Sequence, residues 1–556
     1  MTAAGAAPRV AELRERFSWD EVLGRFDWNA RERLNISHEA CGRWAGQRGR
    51  VAMIVEAVDG GVRTLTYHEL DRLANRFANA LVRLGVRRGD RVAAVLPRTT
   101  EAFVTALAVW KAGAVYVPVF AGFGSDAVRY RLEDSAPKVL VTDGPHRALV
   151  EQSLSIDVPV ITVTGARGSG LVRGDYSFWA ETEQSGPSFS TVETAPTEPA
   201  ALVYTSGTTG PPKGCVLPHA GLISLVPFVE HVMALREDDL LWSTADPSWS
   251  FGLLSTGMVP MALGHPRLVF EGDFDPARWW EVAERHQVTH LTAAPTAYRL
   301  LAASRDRDLA GRDLALRAAT SAGEPLNPEP MQWFADRLGV PVVDAYGLTE
   351  VGFALGNLRS VGHPVKSGSV GFAMPGFDVR LLREDGTEVG VGEAGTIAVR
   401  GHEWFLGSGY WGKDEAWAER WEDGWFVTGD AAYRDEDGYH WFVGRADDVI
   451  VTSGYNVGPF EVESALLLHP AVAEAAVVGK PDERRGSSVK AFVVLGPDAS
   501  PSDAVRTQLQ ALVVEKVGRH ASPREVEFLD ELPRTTSGKL QRAELRRRES
   551  AGRDPA

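Results

Sequence analysis

Much of the chain repeats one pattern, in which apolar residues recur at a helical period and then gather into a short apolar run. Residues 68–97 show it first: HELDRLANRFANALVRLGV predicts a helix, Arg88-Gly89-Asp90 a turn, and RVAAVLP a buried strand. A second helix over TEAFVTALAVWKAGA leads into the strand VYVPV, and the same rhythm returns at 277–300 and 329–345. Alternating helices and short apolar strands predict α/β layers with mainly parallel strands.

Two stretches depart from this rhythm. Residues 165–199 are rich in Gly, Ser, Thr, Glu and Pro, which predicts a surface excursion without a regular element. From about residue 375, the short strands FDVRLLREDG, GTIAVRG and YRDEDGYHWFVGR carry Asp-Gly turns, which predict hairpins. Residues 448–556 then predict strand, helix, strand, strand and helix, which is enough for a small α+β domain.

Size and composition favour a multidomain globular protein. A chain of 556 residues is too long for one simple core, and 44% hydrophobic with 24% charged residues is ordinary for a globular enzyme. The net charge of -15 disfavours binding to nucleic acid or anionic lipid. Two distant cysteines, Cys41 and Cys215, provide no disulfide framework. With no apolar signal core and no membrane-span run, we expect a soluble cytoplasmic protein.

The string YTSGTTGPPKG, from Tyr204 to Gly214, is the sharpest chemical signal. Its small residues allow backbone N–H groups to approach phosphate oxygens, its hydroxyls add donors, and Lys213 adds positive charge. It is not a Walker A loop, because the Gly-Lys-[Ser/Thr] ending is absent. Composition alone would also suit a Gly/Ser linker, but the ordered string favours a phosphate-binding loop.

Five further strings follow in a fixed order: SAGEP (321–325), DAYGLTE (344–350), GWFVTGD (424–430), GRADDVIVTSGYNVGPFEVES (444–464) and LPRTTSGKLQR (532–542). Together with the loop, they resemble the adenylate-forming superfamily of acyl-CoA synthetases, carrier-protein adenylation domains and beetle luciferases. The resemblance spans roughly residues 40 to 545. The strings GRADDV and SGYNVGPFEVES are similar to the acetyl- and medium-chain acyl-CoA synthetase branch.

The resemblance implies a fold and a domain division. It implies an α/β protein with a large multi-lobed N-terminal domain, residues 1–446, in which parallel-sheet lobes accompany a β-barrel-like lobe. A small mobile α+β domain, residues 447–556, follows, with its hinge at Asp447. An exposed turn carboxylate is the alternative interpretation of Asp447.

The resemblance also implies a reaction: ATP and the acid form acyl-AMP with release of pyrophosphate, and coenzyme A then takes the acyl group. ATP (or AMP), Mg²⁺ and coenzyme A are the implied ligands, with no nucleic acid or membrane partner and the oligomeric state, including a homo-oligomer, left open. Two anions must meet in the first step, so positive charge and fixed donors are needed.

The implied phosphate group comprises Thr205, Ser206, Gly207, Thr208, Thr209, Gly210, Lys213 and Thr349, with Glu350 on Mg²⁺. The implied adenosine group comprises Gly323, Glu324, Pro325, Asp344, Ala345, Tyr346, Gly347, Asp430, Phe442 and Arg445. Lys539 is implied to bridge the carboxylate and α-phosphate, and Ser453, Gly454 and Tyr455 open the stretch that would contact coenzyme A.

Each of these residues alone has a plainer interpretation. Asp430 would cap a turn, Tyr346 would be core, Arg445 would form a surface ion pair, and Lys539 would belong to a solvated basic run. The order of the motifs is what favours the catalytic interpretation. Two departures from the family pattern are Leu348 and Asn456, which replace a common Gln and a common Arg.

The acid is inferred from two positions. Gly347 stands where acetate-specific relatives carry Trp, so the pocket should be deeper, and Trp249 in ADPSWSFGLL matches an aromatic acyl-site gate. A core tryptophan is the alternative for Trp249. We therefore expect an acid larger than acetate: medium-chain, aromatic or bulky cyclic. Competing functions are loading of a separate carrier protein, one half-reaction alone, a luciferase-like oxygenase, or a silent acid- or adenylate-binding protein.

Histidines 286 and 290 have the i, i+4 spacing of a metal pair. No further ligand is evident nearby in the sequence, so packing is the favoured interpretation.

Overall fold

The computed structural model describes residues 6–164, 171–205, 211–304, 309, 311–445, 448–452, 455–482, 486–497, 499–519, 521–534 and 540–551. Within them, helices and strands alternate over the first 350 residues, and strands dominate the next stretch. The first elements are α1 (Ala6–Arg16), α2 (Trp19–Leu23), α3 (Ile36–Ala40), β1 (Val51–Glu56), β2 (Val62–Thr66), α4 (Tyr67–Arg83), β3 (Arg91–Val95), α5 (Thr100–Lys111), β4 (Val115–Val119), α6 (Ser125–Ser135), β5 (Val139–Asp143), α7 (Arg147–Ser153), β6 (Val160–Val163), β7 (Tyr176–Ser177), α8 (Phe178–Glu183), β8 (Pro199–Thr205) and β9 (Lys213–Pro218).

A second group of elements completes the large lobes. It comprises α9 (Gly221–Pro227), β10 (Leu241–Ser243), α10 (Val259–Ala262), β11 (Arg267–Phe270), α11 (Pro276–Arg285), β12 (His290–Ala293), α12 (Pro295–Ala303), β13 (Ala318–Ala322), α13 (Pro328–Leu338), β14 (Val342–Leu348), β15 (Gly352–Gly356) and β16 (Phe372–Ala373). Two segments between them, Phe228–Met233 and Phe251–Met258, are π-helical.

Two mainly parallel sheets form the large lobes. The seven-stranded sheet has the order β7-β6-β5-β3-β4-β8-β9, and only the β8–β9 pair in it is antiparallel. The nine-stranded sheet has the order β16-β15-β14-β13-β12-β10-β11-β1-β2, parallel from β14 to β1. Such strands are buried on both faces and therefore read as continuous apolar runs.

The C-terminal part contains β17 (Val379–Leu382), β18 (Gly395–Arg400), α14 (Asp414–Ala418), β19 (Trp421–Glu422), β20 (Trp425–Arg434), β21 (His440–Arg445), β22 (Ile450–Thr452), β23 (Tyr455–Val457), α15 (Pro459–Leu467), β24 (Val472–Asp482), β25 (Gly486–Leu495), α16 (Asp503–Lys516), β26 (Glu525–Phe528) and α17 (Arg542–Ala551). Strands β17 to β21 form a five-stranded antiparallel sheet, which is the barrel-like lobe. Strands β22 to β26 form a separate five-stranded sheet covered by α15 and α16, with its own apolar core.

The predicted α/β architecture is confirmed, and the predicted helices over 68–86 and 100–114 correspond to α4 and α5. Helix α4 begins where a capping box satisfies its first N–H groups: Thr66 Oγ1 accepts from the Glu69 N–H, and Glu69 Oε2 accepts from the Thr66 N–H. Its apolar stripe packs on α5, which is buried on nearly every side.

The prediction that residues 165–199 carry no regular element is wrong for part of that stretch. Strand β7 and helix α8 lie within it. Phe178 is fully buried, and its ring lies 4.4 Å from that of Phe77 on α4. The burial of Phe178, together with that of Thr182, anchors the helix and offsets the polar composition around it.

No helix in the described ranges is both long and apolar enough to cross a bilayer. The proposed domain boundary between residues 446 and 447 lies outside the described residues.

Candidate functional site

The β8–β9 hairpin carries the two ends of the glycine-rich loop. Thr205 and Lys213 are paired in register, and the Thr205 hydroxyl lies 3.5 Å from the Lys213 carbonyl oxygen. The residues expected to form the tip, Ser206, Gly207, Thr208, Thr209 and Gly210, lie outside the described residues. The antiparallel register brings the lysine back beside the residue that enters the loop.

A polar cluster that the sequence analysis missed lies at the base of this loop. Tyr204 donates a 2.7 Å hydrogen bond to Asp134, which also lies 3.4 Å from Lys413 Nζ. The Tyr130 hydroxyl donates to the carbonyl oxygen of Pro212 at 2.8 Å. Both ends of the loop are therefore tied to α6, an arrangement that no local motif could reveal.

The carboxylate of Glu350 lies just after β14. It is buried and accepts a 2.8 Å hydrogen bond from the Tyr410 hydroxyl. The neighbouring Thr349 hydroxyl lies 3.0 Å from that of Ser250, in the segment predicted to contact the acid. Among the described residues, no group of three or more His, Cys, Asp or Glu could hold a metal. A single carboxylate fits Mg²⁺, which is commonly bound through one or two carboxylates together with substrate phosphates.

Strands β13 and β14 bring two predicted motifs together. Ser321 and Ala322 pair with Asp344 and Ala345, so SAGEP and DAYGLTE meet at the carboxyl ends of parallel strands. Ligands in open α/β sheets commonly bind at such ends. Gly323 has a φ of +97°, and a Cβ there would meet nothing within 4 Å. Open space above a positive-φ glycine suits close approach of a planar ligand.

The next two residues of SAGEP are held by α12. Glu324 Oε2 accepts from the Thr296 hydroxyl at 3.0 Å and from Arg299 at 3.2 Å. Arg299 also lies 3.4 Å from the Pro325 carbonyl oxygen. One arginine thus orients both residues expected beside adenine.

Asp344 is almost completely buried in β14. Burial raises the pKa of its carboxyl to about 8, against the opposing effect of donation by the Leu326 and Ala345 N–H groups. The carboxyl is therefore mainly protonated at neutral pH. A protonated carboxyl keeps a carbonyl oxygen that can accept from an amino group.

Tyr346 reaches from the nine-stranded sheet to the antiparallel sheet. Its hydroxyl donates at 2.8 Å to Asp430 on β20, and Arg445 on β21 lies 3.1 Å from the other oxygen of the same carboxylate. Burial, and next the Asp430 charge, raise the pKa of Tyr346. The Phe442 ring lies 6.0 Å from that of Tyr346. Three residues from three motifs, together with Phe442, thus converge at one position.

Gly347 has a packing reason to lack a side chain. It lies at an irregularity in the β14–β15 pairing, where a Cβ would meet the Gly352 carbonyl oxygen at 2.3 Å. Such a contact requires the backbone of β15 to move. Any side chain at residue 347 would therefore press on the backbone of β15.

Trp249 belongs to an aromatic cluster rather than standing alone. Its ring lies 6.2 Å from Phe120 and 6.0 Å from Phe123, and it is only partly buried. Phe251 packs in a second cluster with Phe228 and Phe353. The ADPSWSFGLL segment thus presents aromatic surface close to Thr349.

Residues of α15 contact the neighbourhood of the predicted adenosine-binding residues. Asn327 donates to the Ser464 hydroxyl at 3.0 Å, and the Phe442 and Phe460 rings lie 6.4 Å apart. Of the residues expected there, Ser453, Gly454, Lys539 and the hinge residue Asp447 lie outside the described residues. Tyr455 is described only as the first residue of β23, paired with Thr452.

The two histidines with metal-like spacing serve packing. His286 contacts the buried carboxylate of Glu56 at 2.5 Å, and His290 lies fully buried at 2.9 Å from the Thr320 hydroxyl.

Comparison with known proteins gives a consistent result over nearly the whole chain. The family model described as AMP-binding enzyme matches residues 42–411, and that of the AMP-binding enzyme C-terminal domain matches residues 461–539. The acetyl-coenzyme A synthetase of Bacillus subtilis (strain 168) is 36% identical over 547 residues, covering 96% of this chain and 94% of that protein.

Two solved structures extend the comparison. The acyl-CoA synthetase of Brucella canis has a TM-score of 0.76 at 38% identity, covering 98% of this chain and 99% of that one. The anthranilate CoA ligase AuaEII, solved with anthranoyl-AMP, has a TM-score of 0.84 at 28% identity, covering 94% of this chain and 98% of that one.

Proposed function

The chain belongs to the AMP-binding enzyme family, and from this premise we propose that it is an acid:CoA ligase. It uses ATP to convert a carboxylic acid into acyl-AMP and pyrophosphate. It then transfers the acyl group to coenzyme A and releases AMP.

The meeting of Tyr346, Asp430 and Arg445 carries this proposal. These residues come from three separate strings, and a structural role alone does not require them to share one carboxylate. We assign this cluster to adenosine, with Asp430 on the ribose hydroxyls and Tyr346 beside the base. Tyr346 follows Ala345, which pairs with Ala322 directly before the open space at Gly323.

The first step needs a good leaving group on the acid. A carboxylate oxygen attacks the α-phosphorus of ATP, the bond to the β-phosphate oxygen breaks, and pyrophosphate leaves with the negative charge. We assign the phosphates to Lys213 and the 205–210 loop, a hydrogen bond to the α-phosphate to Thr349, and the bridging of the carboxylate and the α-phosphate to Lys539. Glu350 would hold Mg²⁺, which supplies charge neutralisation at the phosphates when bound.

The second step needs a different neighbour beside the acyl carbon. The thiol of coenzyme A loses its proton to solvent and its sulfur attacks that carbon. The bond between the acyl carbon and the phosphate oxygen breaks, and AMP leaves as an anion. We assign the 453–459 stretch to coenzyme A and the chain to two domains, residues 1–446 and 447–556. The first family match ends at residue 411 and the second begins at residue 461, which supports a domain boundary between these two residues.

One domain would present Lys539 in the first step and the 453–459 stretch in the second. Both cannot readily occupy one face of one pocket, so the C-terminal domain would rotate about Asp447. A few backbone dihedrals can absorb such a rotation.

The acid is proposed to be larger than acetate: medium-chain, aromatic or bulky cyclic. The aromatic surface of Trp249, Phe120 and Phe123 supports an apolar acyl group. The comparisons are compatible with acetate and with a larger acid as the substrate, because an acetyl-coenzyme A synthetase and an anthranilate CoA ligase are both similar to this chain.

The test is a panel of acids given with ATP, Mg²⁺ and coenzyme A, in which pyrophosphate, acyl-AMP and acyl-CoA are measured separately. We expect all three products with at least one medium-chain, aromatic or cyclic acid, and slower turnover of acetate. Acyl-AMP that is not passed to coenzyme A would instead indicate one half-reaction or a separate carrier protein. Binding of acid and ATP without pyrophosphate release would contradict an enzymatic function.

A further inference from the structure

The segment 407–411 has the sequence GSGYW and contacts, in space, both charged residues proposed to handle the phosphates, Lys213 and Glu350. Its backbone continues the edge of β9: the Val216 N–H donates to the Gly409 carbonyl, and the Trp411 N–H donates to the Gly214 carbonyl. At its other end, the Gly407 N–H donates to the carbonyl oxygen of Glu350 at 2.8 Å. The segment thus joins the strand that begins with Lys213 to the residue that would hold Mg²⁺.

The side chain of Tyr410 makes the same connection. Its hydroxyl donates to Glu350 Oε1 at 2.8 Å, and its ring centroid lies 5.1 Å from Lys213 Nζ. Glu350 is 60 residues away in sequence. Tyr410 is itself 5% exposed, so both contacts form largely out of solvent.

We propose that Tyr410 is a positioning residue that holds the Mg²⁺-binding carboxylate of Glu350 and the phosphate-binding ammonium of Lys213 in one arrangement. This inference rests on the proposed function. The hydroxyl fixes one oxygen of Glu350, and the other oxygen keeps its lone pairs for a metal. The ring face attracts the lysine ammonium without neutralising it.

Charge makes this arrangement useful. A carboxylate paired with Lys213 would compete with the phosphates for the ammonium. Within the part of the chain that the structure describes, the ring of Tyr410 is the partner of Lys213 Nζ, and no carboxylate lies within ion-pairing distance of it. The lysine is therefore oriented and still available to an anion.

The ring of Tyr410 is held independently of both charged residues. It lies edge-on to Trp417 at 5.2 Å, and Trp417 packs on Phe426 at 5.3 Å. Tyr410→Phe should therefore keep the ring in place over Lys213 and remove only the hydrogen bond to Glu350. Tyr410→Leu should remove both contacts.

The experiment measures nucleotide affinity by calorimetry, with excess Mg²⁺ and with a chelator, on the full-length protein. In the wild type, Mg²⁺ should strengthen ATP binding. In Tyr410→Phe that strengthening should shrink by about five- to tenfold, because the metal-binding carboxylate is no longer oriented, with metal-free binding unchanged. In Tyr410→Leu, metal-free binding should also weaken, by about three- to tenfold.

Two controls separate positioning from a general structural effect. Tyr176→Phe, at an exposed position in β7, should leave every constant unchanged. In a Glu350→Gln background, Tyr410→Phe should cause no further loss of the Mg²⁺ effect, because the carboxylate it orients is absent. KM for coenzyme A should stay the same in all Tyr410 variants.

The outcomes are distinct. An unchanged Mg²⁺ effect in Tyr410→Phe, or an equal loss in both Glu350 backgrounds, would overturn the positioning role while leaving the proposed function intact. Wild-type protein that neither binds ATP nor releases pyrophosphate would overturn the proposed function itself. If Tyr410→Phe proves unstable on heating, the Tyr410→Leu comparison of metal-free binding decides the lysine contact.

Discussion

The hydroxyl of Tyr346 donates a 2.8 Å hydrogen bond to Asp430 Oδ2, although 84 residues of chain separate the two. Tyr346 lies on β14 of the nine-stranded sheet and Asp430 on β20 of the antiparallel sheet. Arg445 contacts the other carboxylate oxygen at 3.1 Å. Asp430 therefore links the nine-stranded sheet to the antiparallel sheet at the position proposed for the ribose.

Removing either side of this contact should weaken ATP binding more than catalysis. We expect Tyr346→Phe to raise KM for ATP by about three- to tenfold, because one hydrogen bond to a charged group is lost. Asp430→Asn should have a larger effect, since Arg445 also loses its partner charge. Pyrophosphate release at varied ATP measures both. Tyr433→Phe, on the same strand but stacked on Trp441, is the matched control and should behave as wild type.

Lys213→Ala should raise KM for ATP by about tenfold or more, because a positive charge beside the phosphates is removed. Lys213→Arg should keep part of the affinity. Lys366→Ala is a suitable control, since that lysine is paired with Asp435 and Asp437 on another part of the protein. ATP kinetics that do not change in a folded Lys213→Ala protein would remove this residue from the site.

Gly347 and Trp249 should respond differently to substitution. Gly347→Ala should lower the melting temperature, because a Cβ 2.3 Å from the Gly352 carbonyl oxygen causes overpacking of about 1–3 kcal/mol.

Trp249→Ala should leave the fold intact and shift acid preference towards larger acids, as the aromatic cluster opens. A calorimetric scan and the acid panel measure the two effects.

The reverse result would assign the pocket differently. If Gly347→Ala melted like wild type yet changed acid preference, Gly347 would line the acid pocket. If Trp249→Ala left the acid preference unchanged, Trp249 would be a core residue. Trp333→Phe on α13 serves as the control for loss of an indole.

The two half-reactions should be separable. Lys539→Ala should abolish acyl-AMP formation but still convert supplied acyl-AMP and coenzyme A to thioester, since the lysine acts only while the phosphate is attacked. Asp447→Pro fixes φ at the proposed hinge and should keep adenylation while losing thioester formation. Both variants must first melt cooperatively. Equal loss of both activities in Lys539→Ala would contradict alternation of the C-terminal domain.

Stability should fall with rising pH through the titration of Asp344. Burial raises its folded pKa to about 8, whereas an unfolded Asp titrates near 4. Between these values the folded chain holds a proton that the unfolded chain has lost, so the contribution of this group to the free energy of unfolding decreases until about pH 8. Asp344→Asn removes this dependence. The melting temperature of Asp344→Asn, relative to that of wild type, should therefore rise as the pH increases from about 5 to about 8.

A constant difference in melting temperature across that range would show that Asp344 is ionised in the folded protein. Because an amide and a protonated carboxyl both carry a carbonyl acceptor, ATP binding near neutral pH should change little in Asp344→Asn.

Several features of this protein follow from the sequence by itself. The helical period of residues 68–86 and the apolar run after it determined α4 and β3, because side-chain periodicity and backbone hydrogen bonding are local. The Asp-Gly turns determined the hairpins of the antiparallel sheet in the same way. The order of the six strings identified the family, because each preserves residue types that a particular chemistry needs.

Other features were decided by the tertiary structure. Helix α8 forms in a polar stretch because Phe178 is buried against Phe77, and that partner lies about a hundred residues earlier. Tyr410 lies in a short glycine-rich segment with no signal of its own. It acquires its contacts with Glu350 and Lys213 only when the segment pairs with β9. The sequence assigned Gly347 to the acid pocket, whereas the close approach of the β15 backbone to this residue is visible only in the tertiary structure. These contacts depend on packing between distant elements, which local propensity does not encode.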